Sequence, residues 1–433
     1  MRYATEVSYF CGGYFALAAA FFALAGGLTV PAAAETVDWP QFRGADFGHS
    51  PAENVPTQIT PEKVLWKTPL KGPGASSPIL LGDTLYLTCY TGYGIDKEAP
   101  GEQTGLVRRL QAFSLADGKL LWSTEFPAET PETEYHGFQA LHGYASSTLA
   151  TDGERLYYFF GKSGVGAVTL EGKPVWNTSV GELTHGWGSA ASPIVYKDLL
   201  IVNASIESNH LVALDKTTGK IQWKTAGMDE SWSTPTIYHN RSGDAEVVLS
   251  VKSLVRGISP QTGEELWKVN GIQDYVCPSV IHHAGTMYAT GGRRNTLIAI
   301  QPDRDADIPA KTQLWEIFKG ANVPSPVYDN GHVYWVNESR GAAYCAKAET
   351  GEVVYEERLQ PRSGTIYASP LLAEGRLYVV SRGEGVFLLA AKPEFELLGH
   401  FEPLDESIFN ASPLAVDGKL ILRSDQFLYC VGN

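Results

Sequence analysis

The side chains in this sequence with the greatest capacity for chemistry are aromatic, imidazole and guanidinium groups at short spacing. His185 lies two residues before Trp187, and Glu230 lies two residues before Trp232. A mixture of rigid aromatic surface and a few polar groups is typical of a pocket that binds a small ligand or a peptide. The candidate set, which we predict to share one face of the molecule, is His136, His142, Tyr144, His185, Trp187, Glu230, Trp232, Asp274, Tyr275, Arg293, Arg340 and Arg382.

Motifs of covalent catalysis and of metal binding are missing from the sequence. There is no G-x-S-x-G and no H-E-x-x-H. Gly161-Lys162-Ser163 resembles the end of a phosphate-binding loop, but Leu156 stands where that motif requires glycine. His282 and His283 are adjacent in a strand pattern, so they point to opposite sides of a sheet and cannot jointly hold a metal ion. We therefore predict no catalytic residue and no metal site.

The charge of the chain excludes nucleic acid as a partner. Lysine and arginine number 34 against 48 aspartates and glutamates, which gives a net charge of −14 at pH 7. A chain this acidic is repelled by phosphate backbones, and no cluster of basic residues offsets the repulsion. We expect a partner of another class, either an envelope protein or a glycan or peptide ligand.

The amino terminus has the pattern of an export signal. Arg2 precedes an apolar run from about Phe15 to Val30, and Ala32-Ala33-Ala34 follows as a cleavage site of the A-x-A type. We predict a signal peptide over residues 1–34, cleavage after Ala34, and a secreted or periplasmic domain over residues 35–433. The alternative is an uncleaved membrane anchor, since the run is nearly long enough to span a bilayer. After cleavage we expect a soluble, monomeric protein close to the membrane.

A repeat of about 45 residues organises the rest of the chain. Gly followed four residues later by Trp recurs, and a small residue stands ten positions before the aromatic. A small residue followed by Pro also recurs, at intervals of about 42–48 residues after a first interval of about 70. This second marker stands at Ser77, Ser192, Thr234, Cys277, Ser325, Ser369 and Ser412, with Ser147-Thr148 filling the one gap. Eight markers at the period of a four-stranded blade predict an all-β, eight-bladed β-propeller.

The two ends of the repeat region predict how the ring closes. The last unit, Ser412 to Cys430, has three strands and no aromatic fourth strand. An isolated strand of the fourth type, around Trp66, precedes the first unit. We predict that the strand around Trp66 pairs with the last blade, which removes the open sheet edges. Seven blades with loose ends are the alternative.

Two long loops interrupt the repeat in and after the first blade. They cover residues 90–108 and about 125–143, and both are expected on the face that carries the candidate set. Long loops in a compact fold usually carry function. For the second loop the alternative is a solvated acidic flap. For Trp187 and Trp232 the alternative is a plug in the channel entrance, and for the arginines it is pairing with the abundant carboxylates.

The segment from Ala213 to Trp223, A-x-D-x-x-T-G-K-x-x-W, resembles the pyrroloquinoline quinone (PQQ) repeat, and Asp38-Trp39-Pro40-Gln41-Phe42-Arg43-Gly44 is similar to the lead-in of quinoprotein-like propellers. This family includes PQQ-dependent alcohol dehydrogenases and non-catalytic propellers of the BamB type. The dehydrogenases stack PQQ on two adjacent cysteines beside a calcium ion, and this chain has no adjacent cysteines. BamB-like proteins are usually lipoproteins, and no lipid-attachment motif precedes Cys11.

Three functions are open at this level. The leading hypothesis is a non-catalytic binding or scaffold protein of the cell envelope, without a cofactor. The rival is a divergent PQQ-dependent oxidoreductase of alcohols or sugars, with PQQ on Trp187 or Trp232 and calcium at Asp274 or Glu230. The third is a purely structural member of an envelope complex. Cys89, Cys277, Cys345 and Cys430 are far apart in sequence, and we predict buried thiols.

Overall fold

Tight turns divide the chain into strands of two to eight residues, which pair with their neighbours as hairpins. The computed structural model describes residues 38–302, 312–416 and 418–433, so the predicted signal peptide lies outside the described residues. The strands form eight antiparallel sheets of four strands each, and one of these sheets gains a fifth strand. The predicted all-β, eight-bladed propeller is therefore confirmed.

Each blade contains strands A to D in the order of the chain. Blade 1 consists of Ile79–Leu81, Thr84–Thr91, Val107–Ser114 and Leu120–Pro127. Blade 2 consists of Ala150–Thr151, Arg155–Phe159, Val165–Thr169 and Pro174–Thr178. Blade 3 consists of Ile194–Tyr196, Leu199–Ala204, His210–Asp215 and Ile221–Ala226. Blade 4 consists of Thr236–His239, Ala245–Val251, Leu254–Ile258 and Glu265–Asn270.

The second half of the ring repeats this pattern. Blade 5 consists of Ile281–His283, Thr286–Gly291, Thr296–Ile300 and Gln313–Ile317. Blade 6 consists of Val327–Asp329, His332–Asn337, Ala342–Lys347 and Val353–Arg358. Blade 7 consists of Leu371–Ala373, Arg376–Val380, Val386–Ala390 and Leu397–Phe401, and His49–Ser50 adds a parallel strand beside its strand A. Blade 8 takes strands A to C from Leu414–Val416, Lys419–Arg423 and Phe427–Gly432.

Strand D of blade 8 comes from the other end of the chain. The strand Val64–Pro69, which contains Trp66, pairs antiparallel with Phe427–Gly432. This pairing joins the first strand of the repeat region to the last. Because each blade then has four strands, no strand C is left as an open sheet edge.

Short helical turns lie in the connections. In the part of the chain that the structure describes, three are 3₁₀-helices, Pro61–Lys63, Gln103–Gly105 and Gly161–Ser163, and two are single α-helical turns, Gln139–His142 and Ser205–Ser208. Within the three described ranges, no helix has the length and apolar character needed to cross a membrane.

The repeated small residue of strand C makes room for the aromatic residue of strand D. In blade 3, Ala213 lies directly opposite Trp223, and in blade 6, Cys345 lies directly opposite Tyr355. At Gly257 an added Cβ atom would lie 2.1 Å from the Trp267 ring. The small residue therefore accommodates an aromatic ring within its own blade.

The repeated tryptophan of strand D attaches its blade to the next one. The Trp122 indole N–H of blade 1 donates to the Leu170 carbonyl of blade 2 at 2.9 Å. The ring also lies against Gly172, where an added Cβ atom would approach it to 2.5 Å. Trp66, Trp176, Trp223 and Trp315 donate to the following blade in the same way. The Gly-Trp spacing thus reflects contacts between successive blades.

Candidate functional site

A belt of hydrogen bonds joins the starts of strand A in successive blades. At seven of the eight junctions, a serine or threonine N–H donates to the side-chain hydroxyl of its counterpart in the next blade, at 2.9–3.0 Å. The belt residues are Ser77, Thr148, Ser192, Thr234, Ser279, Ser325, Ser369 and Ser412. Because Ser412 donates back to Ser77, the belt encloses the axis of the propeller.

The belt corrects one repeat marker. The sequence placed the marker of blade 5 at Cys277, but the equivalent residue is Ser279. Strand A begins at Ile281, two residues after Ser279, as Leu371 follows Ser369 in blade 7. Cys277 followed by proline fits the sequence pattern of the marker, but a cysteine has no hydroxyl group to take part in the belt. As a result Cys277 lies on the wall of the channel.

A cavity of about 450 Å³, here called the mouth cavity, lies inside this belt. Phe42 borders both the mouth cavity and a second cavity of about 290 Å³ that reaches the other face, so the lead-in segment separates the two. The apolar lining of the mouth cavity includes Phe138, Leu141, Trp187, Trp232, Tyr275 and Tyr367. Its polar lining includes His142, Cys277, Asn322, Glu338 and Asn410 together with belt hydroxyls.

The second long loop crosses the mouth of the channel. We call residues 128–146, between strand D of blade 1 and the belt, the lid. The Leu141 carbonyl of the lid accepts hydrogen bonds from Arg382 Nη2 at 3.1 Å and from Asn410 Nδ2 at 2.9 Å. These partners belong to blades 7 and 8, so the lid reaches beyond the blade from which it starts.

His142 fixes the other side of the lid. Its Nε2 lies 2.8 Å from the Trp187 carbonyl, and its Nδ1 lies 2.5 Å from Ser146 Oγ. Because a carbonyl only accepts, Nε2 carries the proton and Nδ1 accepts from the serine hydroxyl. Burial lowers the pKa of His142, which favours this neutral form. The Nε2 bond therefore holds the lid to the segment that leads into blade 3, and the Nδ1 bond fixes the ring within the lid.

Aromatic rings form one wall of the mouth cavity. The Trp187 ring centroid lies 5.0 Å from that of Trp232 and 4.5 Å from that of Tyr275. Phe138 of the lid packs edge-on against Trp187 at 5.0 Å, and His185 packs against Trp232 at 4.9 Å. The Trp232 N–H donates to the Gly188 carbonyl at 2.7 Å, which fixes its ring.

Among the described residues, Glu338 is the one carboxylate that lines the mouth cavity. It lies at the end of strand B in blade 6 and is 7% exposed. Asn322 donates to it twice, from Nδ2 at 3.0 Å and from its backbone N–H at 2.9 Å. No lysine or arginine of the described residues belongs to the cavity lining.

The structure brings together only part of the predicted candidate set. His142, Trp187, Trp232 and Tyr275 line the mouth cavity, and His185 packs at its rim. Arg382 lies behind the lining, where it holds the lid and covers the Tyr367 ring at 5.0 Å.

The other predicted residues have different partners, so their expected convergence at the mouth is wrong. Glu230 pairs with Lys252 at 2.7 Å, and the Asp274 carboxylate accepts the Arg293 N–H at 3.2 Å. Tyr144 belongs to the lid, and its buried side chain donates to the Thr133 carbonyl. His136 is exposed beside Glu134, and Arg340 is exposed on blade 6. These side chains do not belong to the lining of the mouth cavity.

A buried polar cluster supports the lid from below. Arg108 of blade 1 pairs with Glu132 of the lid at 2.6 Å and donates to the Tyr144 carbonyl at 2.9 Å. Nearby, Ser189 donates to Glu207, and burial raises the pKa of Glu207 to about 7. A cavity of about 20 Å³ separates the lid from these groups, which leaves room for a single water molecule.

The chemistry of the cysteines agrees with the prediction of thiols. All four cysteines of the described ranges are free, and Cys89, Cys345 and Cys430 are buried. Cys277 is partly exposed, and burial raises its pKa to about 12. Among the described residues, no group of three or more His, Cys, Asp or Glu side chains could hold a metal ion.

Comparison with known proteins identifies relatives with the same repeats. The family described as outer membrane protein assembly factor BamB matches residues 55–205, 105–269, 162–304 and 251–393. Tetrathionate hydrolase of Acidithiobacillus ferrooxidans is 21% identical over 413 aligned residues, which cover 85% of this chain and 77% of that protein.

Solved structures share the architecture at low sequence identity. BamB from Moraxella catarrhalis has a TM-score of 0.58 at 12% identity, with 87% of this chain and 97% of that one covered. A europium-containing methanol dehydrogenase has a TM-score of 0.63 at 11% identity, with 90% of each chain covered. At such identities the likeness shows the fold alone. The overlapping sequence matches, however, extend from residue 55 to residue 393, and the chain therefore belongs to the family described as outer membrane protein assembly factor BamB.

Proposed function

We propose that this protein is an exported, non-catalytic binding protein of the cell envelope, and that its ligand enters the mouth cavity. The observation that carries the proposal is the cavity itself, about 450 Å³ in volume, with an aromatic wall, a few polar groups and a lid tied to three blades. Concave, mostly apolar sites with few polar groups are typical of ligand binding. An envelope protein that inserts a peptide segment, or a glycan chain, fits such a site.

The polar groups of the cavity support binding better than catalysis. The raised pKa of Cys277 keeps its sulfur protonated near neutral pH, and a protonated thiol is a weak nucleophile. His142 has both ring nitrogens engaged, so it is not available as a general base. Glu338 is held by Asn322. Covalent catalysis needs a nucleophile within reach of a free base, and these residues do not form such a pair.

The residues of the cavity do not fit PQQ with calcium. PQQ carries three carboxyl groups, and the lining has one carboxylate and no lysine or arginine among the described residues to compensate their charge. Glu230, one expected calcium ligand, pairs with Lys252 instead. The same lack of cationic residues argues against a doubly negative substrate such as tetrathionate. We therefore propose that the chain works without a quinone cofactor.

Two observations support export to the envelope. Residues 1–34 have the order of a cleaved signal peptide, although they lie outside the described residues. The family that matches the chain is described by its role in outer membrane protein assembly. We propose a soluble monomer beside the membrane, because the ring closes on its own strand and leaves no blade to be completed by a second copy.

Site-specific photo-cross-linking in the native host tests this proposal. Phe138 is 54% exposed against Trp187, and Phe318, at the outer end of blade 5, is 45% exposed and serves as the matched control. Each is replaced by the photoreactive benzoylphenylalanine. We expect a defined adduct at position 138 that the additional change Trp187→Ala abolishes, and none at position 318. Equal adducts at both positions, or an adduct that persists without Trp187, would count against the mouth as the binding site.

A further inference from the structure

We propose that the mouth cavity receives a cationic nitrogen group of its ligand, an alkylammonium or a guanidinium, between the carboxylate of Glu338 and the aromatic wall. This inference rests on the proposed binding function and specifies the chemistry of the ligand. The cation could belong to a free amine or to a lysine or arginine side chain of a peptide. Both sources present the same group to the same corner of the cavity.

Glu338 is a buried carboxylate without a cationic partner. It is 7% exposed, and its hydrogen bonds come from the neutral amide and backbone of Asn322. None of the ion pairs among the described residues includes Glu338. Acidic side chains are almost never this buried unless they are paired, because an unpaired charge loses its hydration. A ligand cation supplies the missing charge.

The amide that holds Glu338 has an acceptor atom without a donor among the described residues. Because Asn322 directs its Nδ2 to Glu338, the Oδ1 atom of the same amide points away, and it is buried without a donor among the described residues. Cys277, nearby on the wall, offers only a weak donor. An ammonium group has three N–H donors and a guanidinium has five, so either group suits a site with an unpaired acceptor.

Aromatic side chains line the same cavity as Glu338. The negative charge of Glu338 contributes to raised pKa values of Tyr275, Tyr367 and Cys277, after the larger effect of burial, so all three side chains sense its field. Tyr275 in turn contacts Trp187 at 4.5 Å between ring centroids. Cations bind favourably to the faces of tryptophan and tyrosine, more strongly when they are desolvated. The wall therefore favours the same ligand charge as the carboxylate.

Arg382, which lies over the Tyr367 ring of the cavity lining, is already committed to the lid. Its Nε donates to Asn410 Oδ1 at 2.8 Å, and its Nη2 donates to the Leu141 carbonyl at 3.1 Å. Its guanidinium covers the Tyr367 ring at 5.0 Å. Turning it toward Glu338 would break these contacts and release the lid. The protein thus keeps its own cation out of the cavity and leaves Glu338 for a ligand.

Binding of matched compounds to the full mature protein tests this inference. The free pair is n-pentylammonium and 1-pentanol, which have similar shapes and differ in charge. The peptide pair is Ac-Ala-Lys-Ala-NH₂ and its norleucine counterpart. Affinities are measured by calorimetry for the wild type, for Glu338→Gln, for Trp187→Leu and for Glu230→Gln. Glu230 is the control carboxylate, since it is exposed and paired with Lys252 outside the cavity lining.

We expect each cation to bind at least about tenfold more tightly than its neutral counterpart, as a charge-assisted hydrogen bond predicts. Glu338→Gln should remove this preference, Trp187→Leu should weaken it, and Glu230→Gln should leave it unchanged, with all melting temperatures checked to confirm folding. The tighter of the two cations identifies the source. Equal binding of cation and neutral compound, no binding of either cation, or an unaffected Glu338→Gln variant would overturn the inference. The cross-linking experiment judges the binding function separately, because it does not depend on ligand charge.

Discussion

The contact between the strand D tryptophan and the glycine of the next blade can be tested by adding one methyl group. Gly172, in the C–D turn of blade 2, has φ of +80°, and a Cβ atom there would lie 2.5 Å from Trp122 and 2.7 Å from Thr124 Oγ1. Gly153, in the A–B turn of the same blade, has φ of +89° and no atom within 4 Å of the added Cβ position. The pair separates backbone strain from packing within one blade.

The expected magnitudes follow from these two environments. Alanine in the left-handed region costs about 1–2 kcal/mol of folding free energy, and both variants share this cost. Overpacking adds about 1–3 kcal/mol, and only Gly172→Ala has it, because the indole is fixed by its hydrogen bond to Leu170. With an unfolding entropy of about 0.8 kcal/mol per kelvin for about 400 residues, the extra destabilisation lowers the melting temperature by about 1–4 °C.

Thermal unfolding of both variants and the wild type measures this difference. Tryptophan fluorescence is recorded as well, because Gly172→Ala displaces the Trp122 ring and Gly153→Ala leaves all indoles in place. We expect both variants to melt below the wild type, Gly172→Ala to melt about 1–4 °C below Gly153→Ala, and the emission spectrum to change for Gly172→Ala alone. Equal melting temperatures for the two variants would refute the reasoning, since the contact between blades would then contribute nothing beyond backbone strain.

Three further predictions concern export, the lid and the cofactor. Mass spectrometry of the protein from the envelope fraction should show a chain that begins at Glu35, and a retained leader would contradict cleavage after Ala34. Because the folded pKa of Glu207 is raised to about 7 from 4.5, its stabilising contribution is complete below about pH 4.5 and is lost as the pH rises through about 7. At pH 8 the free energy of unfolding of Glu207→Gln should therefore exceed that of the wild type by on the order of 3 kcal/mol. Unfolding of both proteins by urea at pH 5 and pH 8 measures this difference. Optical titration with PQQ and Ca²⁺ should show no saturable binding, and turnover of an alcohol by the reconstituted protein would restore the oxidoreductase hypothesis.

Most of the architecture was predictable because the repeat specifies the same local contacts in most of the blades. The turn glycine, the aromatic of strand D and the small residue of strand C recur at fixed spacing, and each has a partner in its own or the next blade. The marker of blade 5 failed for a physical reason. A proline after Cys277 is compatible with the start of a strand, but the belt selects a hydroxyl group, and Ser279 supplies it.

The candidate site was less predictable because it depends on radial position and on the path of an inserted loop. The sequence predicted that the candidate set shares one face, and Trp187, Trp232 and Tyr275 of that set line the mouth cavity. The sequence pattern could not show that Arg340 lies outside the cavity lining, or that the Leu141 carbonyl is hydrogen-bonded to blades 7 and 8. Glu338 was missed because no motif surrounds it, and an alignment of the repeats by their strand pairing marks it as one of four charged residues at the same position.

That alignment indicates where this propeller departs from its repeat. In each blade, one residue of strand B lies opposite the repeated small position of strand C. The residue four positions after it lies at or just beyond the end of strand B. The residues found there are Tyr90, Gly161, Ser205, Lys252, Gly292, Glu338, Arg382 and Asp425. Glu338 and Arg382 are therefore the same position in adjacent blades, with opposite charges and without pairing to each other. Glu338 lines the cavity, and Arg382 is hydrogen-bonded to the lid. A buried carboxylate without a paired cation costs stability, so the separation of Glu338 from Arg382 supports a mouth arranged for a ligand.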